Sequence, residues 1–196
     1  MILPGDKIEN KYQNPIDIFL LFLCRLIDDP LHKVNITPNM ITIFGLFLGL
    51  LSIHFLIKKN YILAIAFLWL TYFTDCLDGY MARKHNQITR LGDFLDHFRD
   101  QFVILCVVFI VCLHIKNFQF RLIFLTITMI VGTLSLSQLG CQERISEYQD
   151  HNDCLDKLRH LCPGNAEENI KITRWFGCGT FYLVLSIFIF LLKSKV

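Results

Sequence analysis

Residues 74 to 100 read TDCLDGYMARKHNQITRLGDFLDHFRD, and four of their aspartates fall into two pairs. Asp75 and Asp78 are three residues apart, Asp96 and Asp100 four apart, so each pair occupies one face of a helix. Both helices read as membrane spans: residues 61–77 are apolar up to the first pair, and residues 91–115 are polar only in their first third. A short connection folds the two faces together, and four carboxylates converge. An ionised carboxylate within a membrane helix costs on the order of 3 kcal/mol at mid-bilayer, and like charges repel besides. Positive charge must offset them. Carboxylate oxygens are hard ligands suited to Mg²⁺ or Mn²⁺, and four can hold a pair of such ions that also grip phosphate oxygens. The spacing thus points to a two-metal phosphoryl-transfer site. Helix capping is the simpler alternative for an Asp at a helix end, but it leaves Asp100, one turn deeper, without a reason.

Between the pairs, Gly79, Ala82 and Gly92 leave the backbone open to a bulky ligand, and Arg83 offers a forked donor that matches phosphate geometry. A diphosphate fits that description. Cys76 is no candidate nucleophile, because on a helix it points about 100° away from Asp75.

The wider chain sets this stretch in lipid. Of its 196 residues 54% are hydrophobic and 18% charged, with 18 Phe and a mean hydropathy of +0.46; soluble domains carry nearer a quarter charged residues. Crossing about 30 Å of hydrocarbon takes roughly 20 apolar residues in a helix. Five segments qualify or nearly so, at residues 40–57, 61–77, 91–115, 118–139 and 175–192. Residues 15–27, apolar but short and flanked by Asp17, Arg25, Asp28 and Asp29, read as a helix lying in the membrane interface. Pro38 suits a first helical turn, with Thr37 as its cap. The expected fold is an all-α integral membrane protein, a bundle of five to six transmembrane helices preceded by an interfacial amphipathic helix. Residues 1–196 form one membrane domain: an N-terminal arm (1–38), a catalytic transmembrane core (39–139), a polar cytoplasmic segment (140–174) and a last span (175–196).

Charge orients the bundle. The side that carries the arm, residues 79–90, the first turns of the third span and residues 140–174 holds 13 of the 19 Lys and Arg, so that side is expected to face the cytosol. A net charge of +2 excludes nucleic acid as the main partner. The N-terminus lacks a secretory pattern, and no retention or lipidation signal stands at KSKV, so endoplasmic reticulum and bacterial inner membrane both suit. Most of the eight scattered cysteines read as buried, inert thiols. In residues 140–174, which read as a solvated helical hairpin, Cys141, His151, Cys154, His160 and Cys162 are zinc-capable types but lack close paired spacing.

Residues 75 to 100 match the pattern D-x2-D-G-x2-A-R-x8-G-x3-D-x3-D at all eight fixed positions. Chance would give such a match with odds on the order of 10⁻¹⁰ per starting position. The chain thereby resembles the CDP-alcohol phosphotransferases, with TPNMITIFGL similar to that family's first-span opening. The resemblance implies a membrane enzyme that moves a phosphate-linked group from a CDP-alcohol to the hydroxyl of an acceptor alcohol and releases CMP. It implies Asp75, Asp78, Asp96 and Asp100 as ligands of two divalent cations (Mg²⁺ or Mn²⁺), Asp100 as general base, and Gly79, Ala82, Arg83 and Gly92 as the lining of the cytidine diphosphate site. Homodimers are a further implication, and Gly132 and Ser135 would permit close packing.

The substrate stays open. Residues 86–92, NQITRLG, resemble phosphatidylinositol synthases, whereas Asp96-His97 and PNMITIFGL look more like choline and ethanolamine phosphotransferases. The donor is accordingly CDP-diacylglycerol, CDP-choline or CDP-ethanolamine. The family usually has six spans, and only five are visible. A catalytically silent scaffold of the same fold is the first alternative, although an idle site has no reason to keep four costly carboxylates. A divalent-cation transporter is the second, but it would spread its acidic residues along a path.

Overall fold

The computed structural model describes residues 3–146 and 158–193. After the 3₁₀ turn Asn10–Tyr12 come α1 (Pro15–Lys33), α2 (Pro38–Ile57), α3 (Tyr61–Lys84), α4 (Arg90–His114) and α5 (Phe118–Ile145). Beyond a second 3₁₀ turn, Arg159–Leu161, lie α6 (Ala166–Thr173), a third turn, Arg174–Phe176, and α7 (Cys178–Lys193). Among the described residues there is no strand.

Polar side chains start these helices by accepting the orphan amides of the first turn. Asn14 accepts from Ile16, Thr37 from Met40, Asn60 from Leu63, Thr89 from Gly92, Asn117 from Phe120 and Asn165 from Glu167. Pro15 and Pro38 take first-turn positions that need no amide hydrogen. The expected cap at Thr37 is therefore present.

Four helical stretches are long and apolar enough to cross a membrane: Pro38–Ile57, Tyr61–Lys84, Phe118–Ile145 and Ala166–Lys193. α4 matches them in length, at 25 residues, and carries its charges in the first three turns. The surface agrees with a lipid environment, since Phe44, Phe109 and Met129 are 55%, 64% and 68% exposed. A water-facing bundle would bury side chains of that size. Phe19, Phe22 and Leu26 make a similar exposed stripe along α1, as a helix lying at the membrane surface requires.

α2 packs most extensively against α3 and then α4, while α4 and α5 barely touch despite a three-residue connection. Val103, Val107 and Val111 of α4 are fully buried beside Leu56, Leu68 and Tyr72. Gly49 permits the α2–α4 crossing, because a Cβ there would stand 2.5 Å from Val103 Cγ2.

Three boundaries differ from the sequence expectation. α1 runs on to Lys33, through Pro30, because Asp28 is buried and bound by Lys84 and His85 at the end of α3. α3 reaches Lys84 before Asn86 adopts the left-handed conformation, which places Gly79, Ala82 and Arg83 on the helix itself. α5 extends to Ile145, where residues 140–145 join an apolar corner of Ile8, Cys141, Cys162, Ala166 and Ile170. The described part of the expected solvated hairpin therefore buries an apolar face, while residues 147–157 lie outside the described residues.

Cys141 and Cys162 form a disulfide within it, which removes both from any zinc set; His151 and Cys154 lie outside the described residues. The remaining described cysteines, at 24, 76, 106, 112 and 178, are free thiols.

Residues 3–14 form a strap across one end of the bundle. The Gly5 carbonyl accepts from Arg83 Nε at 2.8 Å, Asp6 pairs with Arg25 at 2.6 Å, and Lys7 pairs with Glu143 of α5. Ile8 is buried in the disulfide corner. Asn14 then donates to the Arg174 carbonyl at 2.7 Å and to Thr180 at 2.9 Å.

Candidate active site

The last turns of α3 and the first of α4 meet at the end of the bundle beneath the strap. Asp75 and Asp78 project from α3, Asp96 and Asp100 from α4, as helical spacing requires. Asp75, Asp78 and Asp96 each offer an oxygen within 4.8 Å of the others. Three hard donors at that separation are a set fit for a divalent cation. Asp78 is the most buried of the four, and Thr42 of α2 donates to its Oδ2 at 2.7 Å.

Arg99 stands among the four carboxylates. Its guanidinium pairs with Asp75, with Asp78 at 2.9 Å, with Asp96 at 2.5 Å and with Asp100 at 2.8 Å. Arg99 thus ties Asp100 to the other three carboxylates. The arginine is fully buried, a placement that shows how strongly these oxygens demand positive charge.

Gly79, Ala82 and Arg83 lie on the final turns of α3. Arg83 folds back along Gly79, where a Cβ would stand 3.1 Å from its Nη1. Gly92 opens the first turn of α4: a Cβ there would meet Asn39 Oδ1 at 2.6 Å and Thr89 Oγ1 at 2.9 Å. His97 uses Nδ1 to contact the Asp93 carbonyl at 2.7 Å, so its ring is bound along its own helix. Cys76 packs among apolar neighbours of the core.

Three features escaped the sequence reading. Arg99 counted only as one more cytosolic charge, although its place three residues after Asp96 puts it on the same helical face. Thr42 carried no signal, since its partner is 36 residues away. Asp17 read as the start of an interfacial helix. In the fold it accepts from the Tyr72 hydroxyl at 2.6 Å, and burial pushes its carboxyl up to about 6, with the Asp75 charge adding to the shift.

An all-helical membrane bundle with an acidic cluster shared by two neighbouring helices defines the class. The chain matches the CDP-alcohol phosphatidyltransferase family over residues 35–151, more than half its length, and belongs to that family. It is 42% identical over 67 residues to a CDP-diacylglycerol–serine O-phosphatidyltransferase of Bacillus subtilis, covering 34% of this chain and 38% of that protein. It is 34% identical over 90 residues to an archaetidylinositol phosphate synthase of Pyrococcus horikoshii, covering 46% and 44%. With a CDP-diacylglycerol–glycerol-3-phosphate 3-phosphatidyltransferase of Haemophilus influenzae it shares 28% identity over 122 residues, covering 58% and 65%. The chain thus spans from about a third to just under two thirds of the curated relatives it matches. No solved structure matches it significantly.

Proposed function

We propose that the protein transfers a phosphate-linked alcohol group from a CDP-alcohol to the hydroxyl of an acceptor alcohol, releasing CMP, as a step of phospholipid synthesis. The observation that carries this reading is the convergence of Asp75, Asp78 and Asp96 from two helices to within 4.8 Å. CDP-diacylglycerol is the donor we favour, because it appears in the names of the Bacillus and Haemophilus relatives. The acceptors in those names differ, and the acceptor here is left as an alcohol.

Asp75, Asp78, Asp96 and Asp100 would hold two divalent cations, Mg²⁺ or Mn²⁺. When bound, these ions withdraw charge from the diphosphate and favour attack at its phosphorus. The protein's own residues supply the rest. Arg83, beside Gly79 and Ala82, pairs with the diphosphate and neutralises departing CMP, while Gly92 leaves room for the nucleotide. Asp100 accepts the proton of the acceptor hydroxyl as its oxygen bonds to the phosphorus that carries the alcohol. The bond from that phosphorus to the bridging diphosphate oxygen breaks, and CMP leaves with the electron pair. One in-line displacement suffices, and no covalent intermediate is needed.

The excess of Lys and Arg on the side bearing the cluster supports a cytosol-facing site. The test is CMP release by detergent-purified protein given Mg²⁺ or Mn²⁺. CDP-diacylglycerol, CDP-choline and CDP-ethanolamine are each tried with a panel of alcohols that includes serine, glycerol 3-phosphate and inositol phosphate. One pairing is expected to turn over. Absence of CMP release from every pairing counts against the reading.

A further inference from the structure

Arg99 is 0% exposed and lies among four carboxylates. Nε and Nη2 both donate to Asp100 Oδ1, at 2.9 and 2.8 Å, and Nη1 donates to Asp78 Oδ2 at 2.9 Å. Nη2 also reaches Asp96 Oδ1 at 2.5 Å and Asp75 Oδ1. One nitrogen with two hydrogens therefore faces three carboxylate oxygens. Because Nε also serves Asp100 Oδ1, the two Nη2 hydrogens are free for Asp75 and Asp96, and that nitrogen marks the point on which the carboxylates converge.

Charge, unlike hydrogen bonding, is left over. Four carboxylates against one guanidinium leave a formal charge of −3. An arginine cannot lose its proton at any accessible pH, so it is a permanent counter-ion, and an incomplete one. The guanidinium reaches all four carboxylates but supplies a single positive charge, and divalent cations bound by the same hard oxygens would supply the rest.

The surrounding fold is shaped for this side chain. Gly45 of α2 lies against both Thr74 and this side chain: a Cβ at that position would meet Thr74 Oγ1 at 2.5 Å, and Arg99 Nη1 at 3.3 Å and Cδ at 3.4 Å. Position 99 is also outside the eight fixed positions of the D-x2-D-G-x2-A-R-x8-G-x3-D-x3-D pattern, so its charge is additional to that pattern.

We infer that Arg99 is a resident counter-ion: it holds Asp75, Asp78, Asp96 and Asp100 together before divalent cations bind, and yields carboxylate oxygens to them when they do. Arg99 is thus a positioning residue that keeps the site assembled and lowers its cation affinity. The inference rests on the divalent-cation reading given above.

The test compares full-length wild type, Arg99→Met and Arg99→Lys in detergent after stripping with EDTA. Mn²⁺ is titrated in and the free ion followed by electron paramagnetic resonance, and thermal unfolding is measured in EDTA and in Mn²⁺. Arg99→Met is expected to bind Mn²⁺ at least about tenfold more tightly than wild type, because a positive charge a few ångströms from the ion is gone. It is also expected to melt below wild type in EDTA and to regain the loss in Mn²⁺. Arg99→Lys keeps a point charge without the fork, and should fall between. Equal or weaker Mn²⁺ binding by Arg99→Met, or a melting loss that Mn²⁺ leaves unchanged, overturns the inference. If Arg99→Met does not fold, Arg99→Lys decides, and an affinity no higher than wild type overturns it. Mn²⁺ binding by none of the three defeats the cation reading itself, whereas equal binding by all three defeats the role of Arg99 alone.

Discussion

The Thr42 hydroxyl on α2 and Nη1 of Arg99 on α4 converge on one oxygen, Asp78 Oδ2, at 2.7 and 2.9 Å. Three helices are thereby joined at the most buried acid of the cluster. A hydrogen bond to an ionised group contributes about 1.5–3 kcal/mol. Thr42→Val is expected to lower stability by about that amount in denaturant or thermal unfolding, while Thr42→Ser stays close to wild type. Equal stability of the valine and serine variants would show that the bond is dispensable.

Asp100 and Arg83 are expected to separate chemistry from binding. Asp100→Asn keeps the shape but cannot take the acceptor's proton, so turnover should fall by roughly 10²–10⁴ while CDP binding remains measurable by calorimetry. Arg83→Ala should instead weaken CDP binding. An Asp100→Asn protein that turns over near the wild-type rate removes that residue as the base.

The Cys141–Cys162 bridge closes a loop with a sequence separation of 21. Constraining the unfolded chain over such a span stabilises by about 3 kcal/mol in the chain-entropy treatment. Dithiothreitol, or Cys162→Ala, is therefore expected to lower the melting temperature and to alter mobility on non-reducing gels. An unchanged melting curve after verified reduction would show that the apolar corner stands without the bridge.

Asp17 gives a pH dependence with a definite sign. Its carboxyl rises from 3.8 to about 6 in the fold, so the native state holds the proton more tightly than the unfolded chain. The associated stability is fully present below pH ~4 and is lost as pH rises through about 6. Asp17→Asn retains an acceptor for Tyr72 and has no charge to bury. The melting temperature of this variant relative to wild type should rise between pH 4 and pH 7. A difference that stays constant over that interval would place the cost of Asp17 elsewhere.

The acidic cluster was legible because it depends on spacing along two helices, and helical geometry converts spacing into direction. The cap at Thr37 was legible for the same local reason. What escaped depends on contacts between distant segments. Asp28 and Asp29 resembled the end of α1, yet their partner Lys84 comes from the end of α3. The disulfide joins two of eight cysteines, a pairing that sequence separation cannot select. Arg99 was half legible: its face was implied by its distance from Asp96, but the space left by Gly45 appears only when α2 is packed against it.

The strap of residues 3–14 bears on how the protein is handled. Its carbonyl at Gly5 tethers Arg83, and its Ile8 plugs the corner closed by Cys141 and Cys162. A purification handle fused ahead of the strap would tug on both at once, so engineered fusions belong after α7, at the far end of the molecule.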